Sequence, residues 1–504
     1  MIKQFLSLLC AICFFTISYG QHHVCGFHST PESDFALLNS IEHLEEYMHH
    51  RGGTAYVPVK FHLVADEQGN GRITEVRVFR TLKTLNDNYA DIGLQFYIQG
   101  DFNYVNRDAL YNANLTTGGT FIQISLTKST NALNCYIVED IIIDRNPDPN
   151  SDVLGVYLPG GLGANRDVLF VQKPEIGSFT GTTEHEFGHF FSLPHTFRGW
   201  DGARWDPNVH GNPVGDTSPG GIPNEKVNKS NCRTAGDLFC DTPPDYNLGN
   251  SNCSPYSGDC MDPDGRVLSP DINNFMGYFF RCSEYNFSDE QKAAILANYN
   301  SSDRNYLRSA YVPFTGDMAE PIKYAPVDTE TSFNSILFEW EAVEGAKWYQ
   351  LEVGRNASMT IGVTRYFVEN PWLLIEDLAA DRTYYWRVQP YGEYTCYEGD
   401  LTAARFTTNS TTSTEDPSFL QSFNMFPNPI GGEKQMQIQL ESANPLQASL
   451  QLFNQAGQIA KEVSMQIQSG INNTLVDLKN LSAGIYILRI QTEEGAIIRK
   501  VNVL

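Results

Sequence analysis

Two histidines and a glutamate lie in one short stretch with a spacing that is typical of a metal site. His185, Glu186 and His189 form the pattern H-E-x-x-H. On a helix, positions i and i+4 lie on one face, so the imidazoles of His185 and His189 can bind the same cation. Glu186 then lies where its carboxylate can act on a water activated by the metal without ligating the metal itself.

His195 can supply a third ligand if the helix ends soon after His189 and the chain turns back. Pro194, directly before it, fits a helix that stops here. Three neutral imidazoles with an open fourth position are a catalytic zinc arrangement, because a structural zinc site is closed by four protein ligands. We therefore predict that the three histidines bind Zn²⁺ and that Glu186 is the general base of a hydrolytic reaction. The alternative is a metal-free core helix whose histidines are hydrogen-bonded.

One position departs from the longer pattern H-E-x-x-H-x-x-G-x-x-H, which is the metzincin motif. Ser192 stands where that pattern has glycine. Glycine is favoured because the turn is expected to need a positive φ, and a serine in this conformation costs on the order of 1 kcal/mol.

The composition is that of a globular protein with more than one domain. The chain has 504 residues, of which 41% are hydrophobic and 19% charged. Its net charge of -24 argues against nucleic acid as a partner. Residues 1–20 have the pattern of a secretory signal peptide, with Lys3 before an apolar run and Gly20 before the expected cleavage point.

The cysteines also indicate an exported protein. Cys10 and Cys13 leave with the signal peptide, and five of the remaining cysteines follow the histidines, namely Cys232, Cys240, Cys253, Cys260 and Cys282. We predict local disulfides that staple a loop-rich lower lobe. A second zinc site of cysteines is disfavoured because no C-x-x-C pair occurs there.

Hydrophobic periodicity predicts an α/β (α+β) lobe around the histidine helix. Strands are expected over 56–64, 94–98, 134–138 and 167–171, with a helix from Thr74 to Tyr89. Ser288 and Gln291 form a capping box for a later helix. The domains are expected at 21–55 (a short pro-segment), 56–312 (catalytic), 320–408 and 423–504 (two all-β sandwich modules), with a linker at 409–422.

Three motifs occur in the order found in one protease family. They are H-E-F-G-H-F-F-S-L-P-H-T-F from His185, G-D-L-F-C-D-T-P-P from Gly236, and N-F-M-G-Y from Asn274. Residues 56–312 therefore resemble the pappalysin family of metzincins, including ulilysin. This resemblance implies a zinc endopeptidase fold and activity. It also implies that Met276 is the Met-turn residue beneath the metal and that Tyr278 helps to stabilise the oxyanion.

Further sites follow from the same resemblance. Asp237, Asp241 and Thr242 lie in the segment that resembles the structural Ca²⁺ site of the family; the alternative is a turn whose aspartates cap backbone amides. Cys25-Gly26 resembles the Cys-Gly of short pro-segments that cap the zinc, which makes Cys25 a candidate latency ligand. An ordinary disulfide is the alternative for Cys25. The stretch Phe279-Phe280-Arg281 lacks the acidic residue of members that prefer basic residues after the scissile bond.

The two C-terminal modules resemble known accessory domains. Residues 320–408 are similar to fibronectin type III modules, which implies an extracellular or cell-surface ligand. Residues 423–504 resemble the C-terminal sorting domain of type IX secretion, which implies that the secretion machinery is a partner and that the chain crosses the outer membrane of a Gram-negative bacterium.

The sequence thus predicts a secreted zinc metalloendopeptidase that hydrolyses protein or peptide substrates. The alternative is a catalytically inactive surface adhesin that binds through its β-modules. Digestion of casein or gelatin with and without a zinc chelator separates these two hypotheses.

Overall fold

A computed structural model of the chain describes residues 24–27, 29–48, 53–143, 152–159, 167–376, 378–410, 417–432, 434–454 and 459–504. The chain forms two compact units, Met1–Val312 and Pro313–Leu504, and each is described by itself. The predicted signal peptide lies outside the described residues. Within the described ranges, no helix is both long and apolar enough to cross a membrane.

The first unit alternates strands and helices before the histidines and is irregular after them. Its elements are β1 (Val24–Cys25), α1 (Pro31–Glu42), α2 (Leu44–Tyr47), β2 (Ala55–Ala65), α3 (Glu75–Tyr89), β3 (Leu94–Ile98), β4 (Asn103–Asn106), α4 (Asp108–Tyr111), β5 (Asn112–Asn114), α5 (Gly118–Thr127), β6 (Leu133–Val138), β7 (Asp140–Ile142), β8 (Val153–Leu158), β9 (Val168–Gln172), α6 (Thr182–Phe190), α7 (Pro207–His210) and α8 (Asp289–Asn300). Short 3-10 helices cover Ala90–Ile92, Lys173–Glu175 and Ser302–Leu307. The four strands expected from the sequence are confirmed as β2, β3, β6 and β9.

The main sheet of this unit runs in the order β1-β8-β9-β6-β2-β3, and β4 also pairs with β2. Neighbouring strands are parallel except β8 and β9, which are antiparallel. A parallel sheet is covered on both faces, so its strands are apolar throughout; β3, β6 and β9 are buried at every position. The strand β8 would be the edge of this sheet, and β1 from the N-terminal segment pairs with it.

The amphipathic helix α3 fixes the helix that carries the histidines. Its buried stripe includes Val78, Leu82, Leu85 and Tyr89, as its periodicity predicts. The Tyr89 hydroxyl donates to the carbonyl oxygen of Glu184 at 3.1 Å. Because Glu184 precedes His185, this contact anchors the first turn of α6.

The region between α6 and α8 has little regular structure, and disulfides hold it together. Cys232 is bonded to Cys240 and Cys253 to Cys282, which confirms the prediction of local disulfides, while Cys260 stays a buried thiol. The capping box predicted for Ser288 and Gln291 is present at the start of α8. Thr74 occupies the N-cap position of α3, but its side chain makes no capping hydrogen bond.

Strands are the only regular secondary structure among the described residues of the second unit. They are β10 (Lys323–Ala325), β11 (Glu330–Ser332), β12 (Ile336–Trp340), β13 (Trp348–Gly354), β14 (Thr364–Val368), β15 (Trp372–Ile375), β16 (Arg382–Tyr391), β17 (Ala404–Asn409), β18 (Leu420–Phe426), β19 (Gln435–Ser442), β20 (Leu446–Phe453), β21 (Ile459–Ile467), β22 (Gly470–Asp477), β23 (Gly484–Thr492) and β24 (Gly495–Val503).

These strands form four sheets around two hydrophobic cores. The sheets β10-β12-β15 and β11-β17-β16-β13-β14 enclose a core with Phe338, Trp340, Trp386 and Phe406. The sheets β18-β19-β22 and β21-β20-β23-β24 enclose an aliphatic core. The mixed α/β architecture with several β-sheets agrees with the sequence analysis, while the exact domain boundaries stay predictions.

Candidate metal centre

The end of α6 returns the chain to the histidines. The Ser192 N–H donates to the His189 carbonyl at 3.0 Å, and the Leu193 N–H donates to the Gly188 carbonyl at 3.0 Å. Ser192 has a φ of 71°, which is the left-handed conformation that this helix-capping motif requires after the last turn. The positive φ expected at this position is therefore confirmed, with serine in place of glycine.

The three imidazoles converge on one point. His189 Nε2 lies 3.0 Å from His185 Nε2 and 3.1 Å from His195 Nε2. The Sγ atom of Cys25 joins them, and the four ligand atoms all lie within 4.8 Å of one another. All four side chains are buried. The structure thus brings together the three predicted ligands and the candidate latency residue.

The other nitrogen of each ring is held by an oxygen acceptor. These acceptors are the carbonyls of Phe275 and Leu193, which bind His185 and His189 at 2.6 and 2.7 Å, and the carboxylate of Asp201, which binds His195 at 2.6 Å. Each Nδ1 therefore carries the proton, and each Nε2 presents a lone pair to the other two. Lone pairs this close repel unless a cation lies between them. Imidazole and thiolate donors in this number fit zinc.

Burial keeps these ligands in the metal-binding form. Burial, together with the neighbouring His195, lowers the pKa of His185 to about 3. Burial and the two adjacent imidazoles hold the pKa of His189 well below its usual value. Neutral imidazoles are the form that binds a metal ion.

Asp201 contacts the histidine cluster and was missed by the sequence analysis. Besides holding His195 Nδ1, its second carboxylate oxygen accepts the Gly199 N–H at 2.9 Å. Burial raises the pKa of Asp201, but the hydrogen bond and Coulombic interaction with His195, together with backbone N–H donors, outweigh it, so the pKa is lowered. A carboxylate in this position fixes the tautomer of the ring and strengthens its nitrogen as a donor. The sequence feature that could have identified Asp201 is an acidic residue in the turn after His195, the last histidine ligand.

Cys25 reaches the cluster because its strand pairs with β8. Cys25 lies opposite Gly155 in parallel register, and the ring of Phe27 stacks on His189 with centroids 4.0 Å apart. The Phe27 N–H donates to the Cys25 sulfur at 3.3 Å. Cys25 is a free thiol, so it does not form the disulfide that was its alternative.

Glu186 lies buried beside the cluster, next to the Cys25 thiol. Its side chain is 0% exposed, and neither carboxylate oxygen accepts a hydrogen bond from an N–H or O–H group of the described residues. Burial raises its pKa to about 8. Gly155 makes room for it, because a Cβ there would lie 2.6 Å from Glu186 Oε1. A buried carboxylate without a partner is costly, and such groups concentrate at functional sites.

Met276 and Tyr278 lie under and beside the histidines. A Cβ on Gly188 would lie 2.5 Å from the Met276 sulfur, so the methionine packs directly against α6. The Tyr278 ring meets that of His195 edge-on at 5.1 Å. Its hydroxyl accepts the Cys25 N–H at 2.8 Å and donates to the Cys25 carbonyl at 3.2 Å. The tyrosine therefore binds the N-terminal segment in this structure.

The residues predicted to bind calcium separate into two places. Thr242 donates to both oxygens of Asp237 at 3.1 and 2.9 Å in the interior. Asp241 is exposed and caps α8, where it accepts from the Ser288 hydroxyl and the Glu290 N–H at 2.7 and 2.8 Å. Asp241 thus matches the capping alternative.

A residue that the sequence analysis missed joins Asp237. Both carboxylate oxygens of Glu225 are buried without a hydrogen-bond partner in the described chain. Burial and the neighbouring Asp237 raise the pKa of Glu225, and burial raises that of Asp237. Gly236 lies against Glu225, since a Cβ there would approach its Oε2 to 2.8 Å.

Comparison with known families identifies the C-terminal module. Residues 424–503 match the family described as secretion system C-terminal sorting domain. This match confirms the predicted localisation: type IX secretion delivers the chain to the cell surface or the extracellular space of a Gram-negative bacterium.

Comparison with curated proteins finds distant extracellular metalloproteases of fungi. The relatives from Sordaria macrospora and Neurospora crassa are each 25% identical over 305 residues, which cover 56% of this chain and 89% of theirs. One from Colletotrichum graminicola is 26% identical over 273 residues, 49% of this chain and 77% of its own. Together with the histidine cluster, these relatives support a metalloprotease in general terms.

Two solved structures show weaker likeness. The fn3 domain of human collagen alpha-1(XX) is 21% identical and matches with a TM-score of 0.16, covering 20% of this chain and 96% of that domain. Dimeric latent PorU from Porphyromonas gingivalis is 13% identical, with a TM-score of 0.15, over 37% of this chain and 20% of that protein. TM-scores this low carry no weight for the fold.

Proposed function

We propose that the chain is a secreted zinc metalloendopeptidase of the pappalysin-like metzincin type. The observation that carries this proposal is the convergence of three imidazole Nε2 atoms at 3.0 and 3.1 Å, each with its Nδ1 proton held by an oxygen. A bound cation accounts for three buried lone pairs that face one another, and nitrogen donors on a short helix and its return turn fit zinc.

Each chain residue then has a defined task. Zinc, when bound, supplies Lewis acidity that polarises a carbonyl and lowers the pKa of water toward ~7. Glu186 accepts the proton of the attacking water and donates it to the leaving nitrogen, and its pocket excludes competing donors. Tyr278 donates to the developing oxyanion, a contribution of roughly 3 kcal/mol for one such donor. Before that, its hydroxyl must leave the backbone of Cys25.

The cleft for the substrate follows β8. This strand lies beside Glu186 at Gly155, and among the described residues its outer edge pairs with the two-residue strand β1. A peptide that displaces β1 can pair with the freed edge as an added strand, with its side chains alternately toward and away from α6.

Removal of the metal tests the proposed activity. Dialysis of the full chain carrying Cys25→Ala against a chelator should abolish casein digestion, and added Zn²⁺ should restore it, while Ca²⁺ alone should not. The measurement is the release of soluble peptides, with metal content determined in parallel. Full activity in protein that contains no transition metal would contradict the proposal.

The second candidate function is a surface adhesin with an inactive metal domain. Its support is the fibronectin-like module at 320–408, for which we propose an extracellular ligand. Against it stand the complete set of ligands and the orphaned carboxylate of Glu186. An adhesin would bind its ligand but leave casein intact with zinc present.

We further propose that Cys25 keeps the enzyme latent. Its sulfur completes four donors around the zinc position, and a thiolate is a good fourth ligand. The pro-segment that carries it, residues 21–55, also blocks the β8 edge, so activation requires its removal or displacement.

The interior acidic pair is the proposed Ca²⁺ site. Glu225 and Asp237 place two carboxylates together with the hydroxyl of Thr242, and Glu225 is otherwise unpaired. Hard cations bind such oxygens. Without a cation, burial raises the pKa of both groups, and the charge of Asp237 raises that of Glu225 further.

Glu225→Gln should therefore stabilise the calcium-free protein and abolish its response to calcium. Because the folded pKa of Glu225 is raised, the folded wild type loses stability as pH rises above about 4.5, where the unfolded carboxyl ionises. Glutamine removes that loss. We expect the melting temperature of Glu225→Gln, measured in chelator at pH 8, to exceed that of the wild type. The rise should be about 2–4 °C for each kcal/mol by which the substitution increases the free energy of unfolding.

The control for this variant is Asp264→Asn, an exposed carboxylate paired with Lys226 at 2.8 Å in the same lobe. It should leave the calcium response unchanged. If Ca²⁺ stabilises the Glu225→Gln protein as much as the wild type, the ion binds elsewhere.

A further inference from the structure

The histidine helix α6 and the strand β8 touch in two successive layers. In the first layer, Gly155 of β8 lies against Glu186, since an added Cβ would come within 2.6 Å of its Oε1. Side chains two residues apart on a strand share a face, as do side chains four apart on a helix. The second layer is therefore Tyr157 against Phe190, whose rings meet edge-on with centroids 5.6 Å apart. It lies one helical turn, about 5.4 Å, from the Glu186 layer.

A buried arginine holds the second layer together. Arg304 Nη2 donates to the carbonyl oxygen of Phe190, the last residue of α6, and to the Tyr157 hydroxyl at 3.1 Å. The guanidinium carbon also lies 3.9 Å from the centroid of the Phe190 ring. A cation is favoured at the C-terminal end of a helix, where the last carbonyl groups lack partners within the helix. Arg304 thus contacts both α6 and β8.

Asp167 joins the same two residues from the other side. Its Oδ1 accepts from Arg304 Nη1 at 2.7 Å and from the Tyr157 hydroxyl at 2.8 Å. Burial raises the pKa of Asp167, but the Arg304 guanidinium and the hydrogen bonds to the carboxylate outweigh burial, so the pKa is lowered. Asp167 is therefore ionised at neutral pH and balances the buried charge of Arg304. These three residues are called the Arg304 network below.

The direction of each donor in the Arg304 network is fixed. Arg304 Nε donates to Asn298 Oδ1 of α8 at 3.1 Å, so the guanidinium is also anchored to a third element. A guanidinium is planar and presents its N–H groups in a rigid fork. Its partners on α6, β8 and α8 therefore hold fixed positions relative to one another. The network sets where β8 lies over α6.

We propose that Arg304, Asp167 and Tyr157 are positioning residues that hold β8 where a bound peptide can pair with it and reach Glu186. This inference rests on the proposed function, in which the peptide adds to the edge of β8. A strand that must first be ordered makes binding less favourable. The zinc ligands and Glu186 lie on α6 and its return turn. Loss of the network should therefore appear mainly in KM.

The test compares Tyr157→Phe with Tyr306→Phe in the zinc-loaded full chain that carries Cys25→Ala. The two hydroxyls are matched, because each donates to Asp167 and each accepts from Arg304, at 3.1 and 3.4 Å. Tyr157 lies on β8, whereas Tyr306 lies in a 3-10 helix. Tyr157→Phe should raise KM for a peptide about tenfold, the factor expected for one lost hydrogen bond to a charged group, and leave kcat nearly unchanged. Tyr306→Phe should leave both constants unchanged.

The melting temperature distinguishes positioning from general support of the fold. Both tyrosine variants should lower it by a similar amount, because each loses one hydroxyl bonded to the same carboxylate. Zinc per chain should stay equal in both. An increase in KM that Tyr306→Phe shares, or an unchanged KM in Tyr157→Phe, would overturn the inference.

Arg304→Lys tests the fork itself. Lysine keeps a positive charge for Asp167 but cannot donate toward Phe190 and Tyr157 with the same rigid geometry. We expect KM to rise at least as much as in Tyr157→Phe. The double variant should add little, because both changes break the same network. Effects on KM that multiply in the double variant would mean that the two residues act independently, which contradicts the proposal.

A binding measurement separates this inference from the proposed activity. In zinc-loaded protein with Cys25→Ala and Glu186→Gln, Tyr157→Phe should raise the peptide Kd by the same factor as KM, and Tyr306→Phe should not. If no zinc-loaded form cleaves a peptide, the proposed function fails, while this difference in Kd would still support the role of the network. If peptides are cleaved but Kd is equal in the two tyrosine variants, only the inference fails.

Discussion

Replacing Glu186 by glutamine or alanine should lower proteolysis by about 10²–10⁴-fold while zinc stays bound. The carboxylate is buried beside the histidines and can accept and return a proton, and neither of its oxygens accepts a hydrogen bond from an N–H or O–H group of the described residues. The three imidazoles keep their Nδ1 acceptors in both variants. The measurement is kcat on casein or a peptide, with zinc quantified per chain.

The contrasting variant is His189→Ala, whose Nε2 is the atom closest to both other ligands. It should lose both zinc and activity, whereas Glu186→Gln should lose activity and keep zinc. Retained proteolysis in zinc-loaded Glu186→Gln would contradict the role of Glu186 but not the metal site.

The sequence predicted those helices and strands whose hydrophobic residues recur at regular spacing. The strands β2, β3, β6 and β9 alternate or run apolar, and α3 has a clear stripe, so side-chain spacing alone indicated them. His185 and His189 were found for the same reason. The positive φ of Ser192 followed from the need to end a helix and reverse within a few residues.

Residues that reach the sites from loops could not be predicted in this way. Asp201 and Glu225 lie in the irregular region after α6, where no repeat relates one residue to the next. Their positions depend on disulfides and on contacts distant in sequence, which the chain forms only when folded.

The serine that departs from the motif gains a partner in the folded chain. Ser192 Oγ lies 2.9 Å from Ser40 Oγ of α1. The same helix is tied to the catalytic unit by Asp34, which pairs with Arg198 at 3.0 Å. Glycine at 192 could not form the first contact. The departure from the motif therefore coincides with an additional anchor for the N-terminal segment.

Cys25→Ala should raise the proteolytic activity of the full-length chain by about 10–1,000-fold, because an inhibited protein with one strongly favoured state populates the open one at about 0.1–10%. Without metal, burial and Glu186 raise the pKa of the Cys25 thiol; a cation at the three histidines favours the thiolate instead. Alanine removes that ligand. The N-terminal segment is then held by the pairing of β1 with β8, the stacking of Phe27 on His189 and the contacts of α1. The measurement is peptide cleavage by freshly purified full-length protein.

The matched control is Cys260→Ala, which removes a buried thiol away from the histidine cluster and should not activate the enzyme. Replacement of zinc by cobalt provides a second measurement. The cobalt-loaded wild type should show near-ultraviolet absorption from coordination by sulfur, and cobalt-loaded Cys25→Ala should not. An absent sulfur band, or equal activity of wild type and Cys25→Ala, would mean that the thiol only packs against the metal site. In that case, latency would have to come from β1 and Phe27, whose contacts with β8 and His189 do not depend on a metal–sulfur bond.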